Sequence, residues 1–73
     1  MQGPDTLEGA DLQEVLIFAM KRELESAHFY TRMMGTLRQE SAKMLCACLA
    51  QEEIKHKMKL EMEYQRMFPE REY

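Results

Sequence analysis

The chain has 73 residues, a net charge of -3 and 45% hydrophobic residues, eight of them Met. A chain this short is at most one small domain and needs reinforcement, because its surface is large relative to the core it can bury. Mixed-sign charge without a basic patch speaks against nucleic acid as a partner, and no apolar run is long enough to span a membrane.

Residues 1–10 contain Gly3, Pro4 and Gly9 without periodic patterning and read as a flexible leader. Asp11 followed by Glu14 is a capping-box signature that starts a helix, with Thr6 as an earlier alternative cap. From Leu12 to about Met34 neither Pro nor Gly interrupts, and Leu12, Leu16, Ala19, Glu23, Ala27, Tyr30, Met34 and Leu37 recur at helical spacing. Gly35-Thr36 breaks this pattern, and the short link to Glu40 suits two antiparallel helices. A second helix is expected to run to Phe68, with Ala42, Leu45, Cys46, Leu49, Glu53, His56, Leu60 and Met67 as its stripe, and Pro69 ends it. The domain is therefore 11–69, an all-α antiparallel two-helix hairpin, with 70–73 as a short tail.

Each helix has more apolar surface than a hairpin can cover. Helix two adds Met44, Ala47, Cys48, Met58 and Met62, while helix one adds Val15, Phe18, Phe29 and Met33 on one flank and Ile17 and Leu24 on the other. A helix can bury only one face against a single neighbour, so these surfaces predict a second copy of the chain or, if the sequence is a fragment, missing helices. Cys46 and Cys48 project roughly 200° apart on a helix and cannot easily pair. They are expected to be buried free thiols in a reducing cytosol, and no secretory signal is recognisable at Met1-Gln2-Gly3-Pro4-Asp5.

The chemistry concentrates on three residues. Glu53 and His56 are three apart, so they share a helix face and can close on one metal ion. Glu23 interrupts the apolar stripe of helix one, where a carboxylate is costly unless paired or metal-bound; Arg22 and Lys57 are alternative partners for it. Tyr30, two turns beyond Glu23, is either a core aromatic or a hydroxyl within reach of a metal-bound carboxylate. His28 falls on the charged face of helix one with Glu14, Lys21, Glu25 and Arg32, and reads as exposed; Glu25, Glu52 and Glu63 read as solvated surface charges.

Glu23 and Tyr30 on one helix, with Glu53-x-x-His56 on the next, resemble one half of the di-iron site of the ferritin-like superfamily. Phe29-Tyr30 and Leu49-Ala50-Gln51-Glu52-Glu53 resemble its rubrerythrin-like branch, and the two-helix layout is similar to encapsulated ferritins. The resemblance implies a homodimer forming a ferritin-like four-helix bundle, in which two sets of Glu23, Glu53 and His56 hold two iron ions. It also implies Glu53 as bridging carboxylate, His56 as terminal ligand, Glu23 as terminal or chelating carboxylate, and Tyr30 as a supporting residue. The activity implied is ferroxidase oxidation of Fe(II) to Fe(III) for iron storage or detoxification, in a higher oligomer in the cytoplasm or inside an encapsulin-type shell. Two rival expectations are a rubrerythrin-like peroxidase, for which rubredoxin-type cysteine pairs are missing, and a non-catalytic helical oligomerisation module.

Overall fold

The computed structural model describes residues 11–71, and among them the chain forms two α-helices, α1 (Leu12–Met34) and α2 (Glu40–Met67), and no strand. The expected leader, 1–10, lies outside the described residues, as do 72 and 73.

Helix α1 begins where the sequence places it. Asp11 has extended backbone angles, its carboxylate accepts from the Glu14 N–H at 2.9 Å, and the Glu14 side chain returns to the Asp11 N–H. Two amides that lack helical partners are satisfied in this way. At the other end, the N–H groups of Gly35 and Thr36 turn back onto the carbonyls of Arg32 and Met33, and the Thr36 hydroxyl also donates to Met33 O. That tight turn closes α1 and reverses the chain. Helix α2 starts at Glu40 without a side-chain cap and ends at Met67, one residue before the expected end, where the Phe68 N–H bonds to Tyr64 O ahead of Pro69.

The helices pack along their length as an antiparallel pair, and the molecule measures 43 × 28 × 14 Å. The longest dimension matches about 42 Å for the 28 residues of α2. The shortest is one helix diameter. The hairpin is thus a slab one helix thick, with two broad sides and two outer edges.

Its sealed core lies at the end opposite the turn. Leu16 and Met20 of α1 close around Tyr64 of α2, which has 0% exposure, with Ile17, Leu60 and Phe68 packed against them. Gln13 Nε2 donates to the Tyr64 hydroxyl at 2.8 Å, so the buried phenol is hydrogen-bonded. Arg71 donates to Gln13 Oε1 and lies over the Phe68 ring at 5.1 Å, tying the end of the described chain to the start of α1. Nearer the turn, only Ala27 and Cys46 are buried.

Several stripe residues depart from expectation. Leu12, Leu45 and Met67 are exposed in the single chain, because the helices meet along a narrower line than the stripes drawn through the sequence. The expectation of two buried thiols holds for Cys46 alone; Cys48, about 200° further round α2, is exposed. The surplus apolar residues of α2 are on the surface, with Met44, Met58 and Met62 at 66%, 56% and 70% exposure.

Candidate metal centre

Glu23 sits one turn beyond Met20 on α1, and Glu53 and His56 occupy adjacent turns of α2. The antiparallel packing brings them level. His56 Nδ1 lies 3.1 Å from Glu23 Oε2 and 3.3 Å from Glu53 Oε1, and one ligand atom from each of the three residues falls within 4.8 Å of the other two.

These distances fit a metal site. Donors at right angles about an ion with bonds of about 2.1 Å stand about 3.0 Å apart, and donors opposite one another about 4.2 Å. The two distances to Nδ1 are near the first value. A carboxylate can only accept a hydrogen bond, so in the metal-free contact the imidazole donates from Nδ1.

The side chains of Glu23 and Glu53 are 24% and 22% exposed, and that of His56 is 49% exposed. The carboxylates are sheltered by the interhelical seam, while the imidazole stands at its open side. Lys57, a possible alternative partner for Glu23, pairs instead with Glu61 at 3.1 Å.

The side of the slab carrying the centre bears exposed apolar residues beside the charged Glu52 and Glu63. Leu12 is eleven residues from Glu23, and Leu45 and Met67 are each eleven from His56, which is about three helical turns. All three therefore share the flank of the centre, and all three are exposed. Tyr30 is half-buried, with its ring edge-on to Phe29 at a centroid distance of 5.4 Å; among the described residues no hydrogen bond joins it to Glu23, Glu53 or His56. Of the residues expected to be surface-facing, His28, Glu25, Glu52 and Glu63 are exposed. Glu52 pairs with Lys55 at 3.4 Å and Glu63 with Arg66 at 2.6 Å. The Arg66 hydrogen bond and charge hold the Glu63 carboxyl below its usual range, and Glu63 in turn raises Arg66.

Comparison with family models, curated proteins and solved structures gives no match for this chain. No described helix is long and apolar enough to cross a membrane.

Proposed function

We propose that this chain is half of a di-iron ferroxidase, completed when two copies pack side to side into a ferritin-like four-helix bundle. The observation that carries the reading is the convergence of Glu23 from one helix with Glu53 and His56 from the other, at ligand-like separations. Two carboxylates and one imidazole are a hard, nitrogen-poor donor set suited to Fe(II) or Mn(II), and the set contains no thiolate of the kind common in structural zinc sites. Three protein ligands from one chain leave positions for a second chain to fill, and the exposed Leu12, Leu45 and Met67 around the centre suit a second copy on that side.

In the paired arrangement, four carboxylates and two imidazoles surround two iron ions. By the resemblance, Glu53 and its symmetry mate would be shared between the two ions, while Glu23 and His56 would complete each ion's ligands. Two Fe(II) supply two electrons, and dioxygen with two protons accepts them as hydrogen peroxide, leaving two Fe(III) among carboxylates that stabilise the higher charge. Iron storage or detoxification, in the cytoplasm or within an encapsulin-type shell, is the role this activity fits. With peroxide as oxidant the same centre would serve a rubrerythrin-like peroxidase. One observation favours the non-catalytic reading: the His56 to Glu23 contact already ties the helices together without metal.

The test is anaerobic Fe(II) titration of the purified chain, followed by admission of dioxygen or peroxide. The expected result is one iron per chain, dimer formation, and Fe(III) absorbance that develops with dioxygen. Glu53→Ala is expected to abolish both binding and oxidation. Equal iron binding and oxidation by wild type and Glu53→Ala would falsify the proposal.

A further inference from the structure

The outer edge of α2, turned away from α1 and off the flank that carries the candidate metal centre, bears a second pattern. Met44, Cys48, Met58 and Met62 are all exposed there, and helical spacing places them within one narrow strip. A row of long apolar side chains in water is unusual for a finished surface.

The strip falls into pairs about position 53. Met44 and Met62 lie equally far from position 53, as do Cys48 and Met58. At the centre, Gln51 and Lys55 are likewise equidistant from it. At the ends, the equidistant pair is Glu40 and Arg66, which carry opposite charges. All of these positions are exposed.

We infer that this edge is a self-docking surface, on which α2 of a second copy packs antiparallel about a two-fold axis level with residue 53. In that register Met44 meets the partner's Met62, and Cys48 lies level with the partner's Met58. Glu40 lies level with the partner's Arg66 at both ends, so the contact has an attractive charge pair at each end, apolar pairs inside these, and the polar Gln51 and Lys55 next to the axis. A parallel pairing has no such match: it sets Glu40 beside the partner's Glu40 and Arg66 beside the partner's Arg66. This complementarity of the strip with its own reverse favours a second copy over a foreign partner. Lys55, near the axis, is partly neutralised by Glu52 at 3.4 Å.

The contact uses none of Glu23, Glu53 or His56, and it is distinct from the pairing that completes the metal centre. If both form, each chain has two different two-fold neighbours, and closed assemblies contain an even number of chains.

Light scattering across a concentration series tests the inference, with circular dichroism to verify that each variant keeps its helices. Met44→Lys combined with Met62→Lys is expected to remove one association step from the wild-type behaviour without altering iron bound per chain. Glu40→Arg alone and Arg66→Glu alone are each expected to weaken that step about 3- to 10-fold, and the double swap to restore it. A short bis-maleimide is expected to link Met58→Cys chains covalently through Cys48, but not wild type, in which the two Cys48 thiols are about 15 Å apart along the axis. Unchanged assembly in the double lysine variant, or a wild type with no association beyond the site-forming dimer, overturns the inference. Failure of the charge swap to restore association, together with no link at Met58→Cys, overturns the antiparallel register. Leu45→Lys, on the flank of the metal centre, separates the two contacts: it is expected to abolish the site-forming dimer and leave the α2 edge contact intact.

Discussion

Two stretches of the same interhelical seam, one turn apart, are built in opposite ways. Around Leu16, Met20 and Tyr64 the seam is apolar and closed, and its one buried hydroxyl is bonded to Gln13. Around Glu23, Glu53 and His56 it is polar and open on one side. Burial at the first stretch removes apolar area from water and holds the helices together. The second stretch contributes little packing, and its carboxylates are costly to shelter unless something positive sits between them. The difference teaches that the packing of the hairpin and its candidate metal centre rest on separate residues, so the residues of the centre can be changed without removing the fold.

Tyr64→Ala is the harshest way to break the contrast. It deletes the centre of the sealed core and is expected to cost about 3–5 kcal/mol, enough to unfold most of a domain this small, as thermal melting by circular dichroism will record. Asp11→Ala leaves the core intact and frays the start of α1, with an expected loss of about 1 kcal/mol in the same measurement. Glu53→Gln is expected to change metal-free stability by no more than about 0.5 kcal/mol. Its signature is instead the loss of the melting-temperature rise that Fe(II) is expected to give the wild type.

Acid gives the smallest effect. The Glu63 carboxyl is held below its ordinary value when folded, by Arg66, so its stabilising contribution is present above the ordinary carboxylate range and fades as pH falls through the lowered folded value. Both groups are fully exposed, so a shallow acid-side slope in stability, absent in Glu63→Gln, is the expected observation.

The helices, their order and the Asp11 cap were legible in the sequence because they depend on local signals: an unbroken run, a capping pair, and Gly35-Thr36 between helices. The meeting of Glu23 with Glu53 and His56 was legible because a charged residue inside an apolar stripe has few tolerable surroundings. At the heart of the core Leu16 was legible as a member of the α1 stripe, but its two partners were not. Met20 and Tyr64 lie off the stripes traced through Leu12, Ala19 and Glu23 and through Leu60 and Met67. Helical spacing gives each helix a broad apolar arc but not the line along which the two arcs touch, and Tyr64 is equally at home at a surface until its hydroxyl finds Gln13. The exposure of Cys48 follows from the same contact line, which passes through Cys46.

The thickness of the slab, 14 Å, has a consequence for traffic. In a single layer of helices the His56 side chain stands at the surface, 49% exposed, so nothing needs to diffuse through protein to arrive at it. Among the described residues nothing covers the open side of the candidate centre. A neighbouring chain on that flank would add admission control, by leaving a passage of chosen width and charge.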